Sequence, residues 1–262
     1  MTVVGTTPPP RLPVRDASAA RERARGVVSP MLTRLAEERA TGVLAREHGA
    51  LHLVEGRVVH AESLLAPSLG LLLTTHGALD AETWQDAEDN ADEERLRRRG
   101  LPPGVLELAQ VSALYDAAYF ALAPSSAPGR FRYGTAHWLA SVHPVAVDDL
   151  ERETLRRRAL LRRIWPDPAT DAAPLIRADP VAAPAVPSRQ AAVLARVDGV
   201  RRATDIAREL GRPAFHTLVH IRRLAAAGLV SSQPPPVEDH PPDGADPYIA
   251  LLKRVRDALE AL

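Results

Sequence analysis

The stretch that most constrains the fold is residues 42–61, where three short apolar runs alternate with two tight turns. The turn dipeptides are His48-Gly49 and Glu55-Gly56, and a glycine in the second turn position supplies the positive φ that a tight hairpin needs. Apolar and polar residues alternate within the second run, so one side of it can be buried. The pattern predicts a three-stranded antiparallel meander. Because it holds no nucleophile, metal-ligand cluster or phosphate loop, it indicates a recognition or scaffold module. The runs cover residues 43–47, 51–54 and 58–61.

Composition excludes several classes of protein. A chain of 262 residues with 45% hydrophobic side chains has the length of one or two domains. The formal net charge is zero, so binding to nucleic acid would have to come from local charge asymmetry. The absence of cysteine excludes disulfides and thiolate chemistry. The first residues lack the basic and apolar regions of a signal peptide, and no run of about 18 uncharged apolar residues occurs. We therefore expect a cytoplasmic protein with no membrane partner.

Helical patterns flank the meander. Residues 1–15 contain four prolines and are expected to be a disordered leader. Residues 16–40 carry apolar side chains at helical spacing and predict an amphipathic helix. A short buried helix is predicted at 68–76, and a helical hairpin follows whose second helix, 105–122, is mostly apolar.

The fold class follows from these elements and from two more. Residues 130–133 alternate in character and predict a strand that pairs with the meander. Residues 144–165 predict a long helix whose acids come early and whose arginines come late, as the helix dipole favours. Residues 16–165 therefore predict an α+β domain in which a small antiparallel sheet packs with helices.

The remainder of the chain divides at proline-rich stretches. Residues 166–187 contain six prolines and predict a semi-extended interdomain linker. A second unit is expected at 188–231, followed by a proline-rich tether at 232–247. Residues 248–262 predict a helix that docks on its own chain or on a second copy, which would give a homodimer. The apolar positions of this helix are Tyr248, Leu252, Val255, Leu259 and Leu262.

The second unit has the pattern of a helix-turn-helix. Thr204 is a candidate N-cap for the second of three helices, and Gly211 supplies a tight turn before the third. A short strand is predicted at 229–231. This order of elements predicts a mostly α-helical, winged-helix-like domain. The three helices are predicted at residues 188–197, 205–210 and 214–227.

Local charge makes this unit a candidate for DNA contact. Residues 188–230 carry eight arginines against three acids, an excess that suits contact with phosphates. We expect phosphate contacts from Arg201, Arg202, Arg212 and Arg222. We expect His216, Thr217, His220 and Arg223 to face the groove.

Two features favour an alternative in which the winged helix does not bind DNA. The first turn of the third helix offers histidine and threonine, whereas arginine, lysine, asparagine or glutamine usually read base edges. The prolines at 234–236 leave no room for a hairpin wing. In this alternative the protein is an adaptor, and both domains offer surfaces to other proteins.

No residue is predicted to be catalytic, to bind a cofactor or to ligate a metal. His216 and His220 have metal-ligand spacing, but the glutamate of the metalloprotease pattern and a third ligand are lacking. His48, His52 and His60 are interpreted as solvated or core histidines near acidic neighbours. We therefore expect no enzyme, an expectation that a buried pocket lined by convergent ionisable side chains would contradict.

The meander and its neighbours resemble a known family, the PATAN domain. The resemblance rests on Thr41-Gly42-Val43-Leu44, on the segment 51–61 with its acidic-Gly-basic turn, on the helical hairpin, and on Gly129-Arg130-Phe131-Arg132-Tyr133. It covers residues 25–165. Residues 191–231 are similar to the small winged-helix domain that often follows such domains.

The resemblance implies a function in signalling. PATAN domains occur at the N-terminus of bacterial response regulators and adaptor proteins, and they are associated with protein–protein contact. It implies a non-enzymatic bacterial signalling or transcriptional regulator, in which the PATAN-like module receives a protein partner or a signal and the winged helix contacts DNA.

Overall fold

The computed structural model describes residues 28–98, 101–102, 104–139, 144–178 and 185–232. Over these ranges the chain is a mixed α+β protein with ten helices and six strands. The predicted leader, the first part of the helix predicted at 16–40, the tether after residue 232 and the C-terminal helix lie outside the described residues. The elements are α1 (Pro30–Glu37), β1 (Gly42–Arg46), β2 (Gly49–Val54), β3 (Arg57–Glu62), α2 (Leu69–Thr74), α3 (Ala81–Asp89), α4 (Glu93–Arg98), α5 (Val105–Ala121), β4 (Arg130–Tyr133), α6 (Val147–Ile164), α7 (Ala169–Ala172), β5 (Leu175–Arg177), α8 (Ser188–Leu194), α9 (Ala203–Glu209), α10 (Ala214–Ala226) and β6 (Val230–Ser232).

The predicted meander is present as the main part of a four-stranded antiparallel sheet. The strand order is β3-β2-β1-β4, so the strand predicted at 130–133 does pair with the meander. The second turn lies at Glu55-Gly56 with φ of 48° and 77°, as its glycine predicts. The first turn was placed one residue too late, because Gly49 already pairs with Arg46 inside the ladder.

The core lies between this sheet and helix α5. Leu51 and Leu53 are fully buried on the face that the alternation predicts. Ala117 and Ala121 on α5 are also buried, and their small side chains let the helix backbone approach the sheet closely. The apolar side chains of the sheet and of α5 therefore form one packed layer.

The proline-rich segment 166–187 is not an extended linker throughout, which corrects the sequence prediction. It contains α7 and β5, and the side chain of Leu175 is fully buried. Strand β5 pairs antiparallel with β6, the strand predicted at 229–231. The prolines flank these elements instead of excluding them, since proline is tolerated at helix starts and at the edges of strands.

The three helices predicted in the second unit are present, but α8 ends at Leu194, before the predicted residue 197, and the start of α9 differs. This helix begins at Ala203, and the N-cap position is occupied by Arg202, not by Thr204. The backbone N–H of Arg202 donates to the carboxylate of Asp205 at 3.0 Å, and Thr204 is buried in the first turn.

The two predicted units share one hydrophobic core. Buried residues from the sheet, from α5 and α6 and from α8–α10 belong to a single cluster. At the centre of this contact, the backbone N–H groups of Ala214 and Phe215 donate to the two carboxylate oxygens of Asp116, at 2.6 and 2.7 Å. The imidazole of His76 also contacts the carbonyl of Gly211 at 3.1 Å. The boundary predicted at 166–187 therefore does not separate two cores.

None of the helices in the described ranges combines the length with the apolar character that crossing a membrane requires.

We predict that Gly56→Ala destabilises the chain more than Gly77→Ala does. Both glycines have left-handed backbone angles, with φ of 77° and 69°. A Cβ at Gly56 would lie 2.5 Å from the carbonyl oxygen of Ala36, whereas a Cβ at Gly77 meets nothing within 4 Å. The strained backbone costs roughly 1–2 kcal/mol at either position, and the clash adds about 1 kcal/mol or more at Gly56. Chemical denaturation of both variants measures the difference, and equal losses of stability would contradict the packing at this turn.

We predict that the stabilising contribution of Asp116 falls as the pH rises from about 4 to about 6. Burial raises the pKa of Asp116 from 3.8 to about 6, although the two N–H donors and Arg157 act in the opposite direction. The folded chain therefore keeps this proton at pH values where the unfolded chain has lost it. Two pKa units correspond to about 3 kcal/mol between these limits.

The test compares the parent chain with Asp116→Asn by chemical denaturation at several pH values. The difference in free energy of unfolding, parent minus variant, should be greatest near pH 4, decline towards pH 6 and change little above it. A difference that stays constant or rises over this interval would contradict the assignment.

Candidate functional site

A cavity of about 700 Å³ lies beside strand β3. It is formed where the sheet meets helices α2, α3 and α5 and the segment that follows β4. Ionisable and aromatic side chains from distant parts of the sequence converge on it, which the sequence analysis did not predict. The side chains that matter here are His60, Glu62, Trp84, Glu88, His137 and Trp138.

One wall of the cavity carries a cluster of three histidines around a carboxylate. The Oε1 atom of Glu62 lies 3.1 Å from Nε2 of His52, 3.6 Å from Nε2 of His60 and 3.9 Å from Nε2 of His137. The rings of His60 and His137 stack with their centroids 4.2 Å apart, and the ring of His52 meets that of His137 edge-on at 4.6 Å. All four polar groups therefore lie within direct contact range.

Strand geometry explains how three of these side chains meet. His52 on β2 is the cross-strand partner of His60 on β3, because an irregularity between His52 and Leu53 shifts the register. Glu62 follows His60 by two residues, so both side chains lie on the same face of the strand. Only His137 comes from outside the meander, from the segment after β4.

The surroundings set the charges of the cluster at neutral pH. Burial, together with the neighbouring His137 and His52, lowers the pKa of His60 to about 3. Burial also lowers the pKa of His137 to about 4. The hydrogen bond with His52 lowers the pKa of Glu62 to about 2. His60 and His137 are therefore neutral, and Glu62 is ionised.

The cluster contains the donor atoms of a metal site. His52, Glu62 and His137 each offer one ligand atom, and these atoms all lie within 4.8 Å of one another. The acidic neighbour of His52 and His60 is Glu62, and the sequence interpretation of these histidines did not include His137. A regular hairpin register would have placed Val59 opposite His52, and nothing in the sequence signals the approach of His137.

Two tryptophans also line the cavity. Trp84 on α3 and Trp138 lie with their ring centroids 5.9 Å apart. The indole N–H of Trp84 donates to Glu88 at 3.1 Å, and its ring lies directly over Gly70, where a Cβ would collide with it. The tryptophans therefore supply an aromatic lining next to the polar cluster, since the rings of His137 and Trp138 have centroids 6.1 Å apart.

Two of the residues predicted to contact DNA are buried. Arg222 is 5% exposed and its guanidinium donates to both carboxylate oxygens of Asp171, at 2.8 and 2.6 Å. It also donates to the carbonyls of Leu161 and Trp165. Thr217 is 1% exposed. Neither side chain can reach a phosphate or a groove. Arg222 is buried because its acidic partner, Asp171, lies on α7, within the segment that was predicted to be a linker.

Arg201 is reached by solvent but its charge is compensated. Its guanidinium forms ion pairs with Asp198 at 2.8 Å and with Glu209 at 3.1 Å. Arg202, at the start of α9, is exposed.

The other four predicted residues meet on the outer face of α8 and α10. Arg212, His216, His220 and Arg223 lie close to one another. Burial lowers the pKa of His220, and the neighbouring Arg223, His216 and Arg212 act in the same direction. Arg189 on α8 contributes to the same effect and was missed by the sequence analysis. Nδ1 of His220 and Nη1 of Arg212 are buried and have no hydrogen-bond partner among the described residues. We call these five residues the basic face.

The amino end of α10 is covered by the rest of the chain. Besides the two hydrogen bonds to Asp116, the guanidinium of Arg157 lies over the ring of Phe215, with its carbon 4.6 Å from the ring centroid. The ring centroids of Phe215 and Tyr119 are 5.5 Å apart. The buried side of the first turn of α10 therefore faces α5 and α6, and His216 in the same turn stays exposed on the other side.

Comparisons with known protein families, with curated proteins and with solved structures find no match to this chain. The resemblance to the PATAN domain and to a winged helix gains no support from them. The two candidate functional sites of the chain are therefore the cavity with the cluster around Glu62 and the basic face.

Proposed function

We propose that the chain is a non-enzymatic bacterial regulator of signalling or transcription that contacts duplex DNA through the basic face. In this proposal the sheet and its helices act as a PATAN-like module that receives a protein partner or a signal. Helices α8–α10 with β5 and β6 act as a winged helix. The observation that carries the proposal is a group of arginines on α8, before α10 and on α10 that have no acidic partner in the described part of the chain, which are Arg189, Arg212 and Arg223.

The hydrogen-bonding and cationic side chains of the basic face lie together, as contact with phosphates requires. His216, His220 and Arg223 follow one another at spacings of four and three residues, so they lie along one side of α10. In the ranges that the structure covers, no acidic side chain forms an ion pair with Arg189, Arg212 or Arg223. Unpaired cations in close proximity repel one another, and phosphates would relieve that repulsion while releasing counterions.

The backbone around these helices supports the winged-helix interpretation. A tight turn at Gly211, with φ of 56°, joins α9 to α10, and β6 follows α10 directly. The carbonyl of Leu175 accepts a hydrogen bond from the N–H of Gly199, and the N–H of Leu175 donates to the carbonyl of Arg201. The connection between α8 and α9 therefore lies against the small sheet that β5 and β6 form.

A second candidate, the protein adaptor, is favoured by the covered amino end of α10. Reading helices usually present their first residues to the base edges, but here Ala214 and Phe215 are buried against Asp116. Contact with DNA in this conformation is therefore restricted to phosphates. In the adaptor alternative the basic face docks an acidic surface of another protein.

We predict that the full chain binds duplex DNA with little dependence on sequence and with a steep dependence on salt. Arg212→Ala and Arg223→Ala should each weaken binding to every duplex tested and reduce the slope of log K against log salt concentration by about one. Fluorescence anisotropy with labelled duplexes at several salt concentrations measures both quantities.

The matched control is Arg208→Ala. It removes the same charge from the same group of helices, but Arg208 is paired with Asp205 at 3.3 Å. This variant should bind like the parent chain. If the parent chain fails to bind any duplex at low salt, or if the control loses as much affinity as Arg223→Ala, the DNA proposal is wrong and the adaptor is favoured.

A further inference from the structure

We propose that His52, Glu62 and His137 bind one divalent transition-metal ion of the zinc type, with an open coordination position that faces the cavity. This inference does not depend on the proposed contact with DNA. It rests on the geometry of the donor atoms, on their chemical type and on their position beside the cavity.

The distances between the donor atoms suit one small ion. Zinc binds imidazole nitrogen and carboxylate oxygen at about 2.0–2.2 Å, so ligand atoms in a tetrahedral shell lie roughly 3.3–3.5 Å apart. The Oε1 atom of Glu62 lies 3.1 Å from Nε2 of His52 and 3.9 Å from Nε2 of His137, values on either side of that spacing. Small rotations of the side chains would bring all three atoms to a common centre.

The chemical type of the donors limits the choice of metal. Imidazole nitrogen suits zinc, copper, iron and nickel, whereas calcium and magnesium prefer oxygen alone. Two histidines with one glutamate form a set of three protein ligands, which is the number that zinc sites with an open fourth position use. His60 lines the cavity beside them and stacks on His137, so it holds that ring in place.

The charge of the cluster also favours a cation. The groups around the carboxylate of Glu62 are the imidazoles of His52, His60 and His137. Among the described residues no arginine or lysine forms an ion pair with Glu62. A divalent ion would supply the missing positive charge, and the cavity would hold a small molecule or water at its open position.

Binding should move the segment that carries His137. Its Nδ1 atom accepts a hydrogen bond from the N–H of Leu139 at 3.2 Å, which places the proton of the neutral ring on Nε2. Coordination through Nε2 transfers that proton to Nδ1, so the bond to Leu139 must break. Trp138 lies between these two residues and faces Trp84. Loading of the site should therefore change the tryptophan fluorescence.

The experiment uses the full chain after dialysis against a chelator. Zinc chloride is titrated by calorimetry and by tryptophan fluorescence, and X-ray absorption of the loaded chain gives the distances to the ligands. We expect one ion per chain, with nitrogen and oxygen neighbours at about 2.0–2.2 Å. His52→Ala, Glu62→Gln and His137→Ala should each weaken binding by more than about tenfold, since loss even of outer-shell partners costs about that much.

Two further variants make the result specific. His216→Ala removes a histidine from the other candidate pair, His216 and His220, and should leave zinc binding unchanged. Trp138→Phe should keep the calorimetric signal and lose most of the fluorescence change. Glu62→Gln is nearly isosteric and its side chain is 56% exposed, so it tests the site even if an alanine variant fails to fold.

Three results would overturn the proposal. They are no zinc binding by the parent chain, equal binding by the parent and Glu62→Gln, and loss of binding in His216→Ala.

Discussion

The carboxylate of Asp116 holds the first turn of α10 against the sheet-bearing half of the chain, and most of the exposed chemistry follows from that contact. Asp116 is fully buried, which would be costly for a carboxylate alone. Its two oxygens accept the N–H groups of Ala214 and Phe215 at the positive end of the helix dipole, which offsets part of the cost. Phe215 then packs between Tyr119 and the guanidinium of Arg157. This contact fixes the rotation of α10 and so decides which of its side chains reach solvent.

The same contact explains why only some of the residues predicted to contact DNA are exposed. With its amino end held by α5, α10 turns Thr217 and Arg222 inward and leaves His216, His220 and Arg223 outward. Arg222 then forms an ion pair with Asp171 on α7, and Arg201 forms ion pairs with Asp198 and Glu209. Although the net charge of the chain is zero, its arginines therefore fall into two groups: some form ion pairs with acidic residues, and others have no acidic partner among the described residues.

How much could be predicted from the sequence depended on how local each interaction is. The turn at Glu55-Gly56, the alternation in β2 and the helical spacing in α10 are local, and the sequence predicted all three. Helix α7 and strand β5 were missed because prolines flank them and because β5 gains its pairing partner only some 50 residues later. The cluster around Glu62 was missed because a single shift of register creates the pair His52 and His60.

The cavity bears on whether the protein is an enzyme, since ionisable side chains do converge there. The hydroxyl groups that line it are already engaged in local structure. Ser63 donates to the carbonyl of His48 and accepts from Leu65, and Ser68 caps the first turn of α2. The carboxylate of Glu62 is surrounded by imidazoles that hold it in its ionised form, which suits a ligand more than a proton donor.

Helix α5 connects the cavity with the basic helix α10. Its residues Ala113 and Ala117 line the cavity, and its residue Asp116 accepts hydrogen bonds from the start of α10. The physical arrangement is thus one helix with a candidate ion site on one side and the start of the basic helix on the other, which fits a protein that binds at both places.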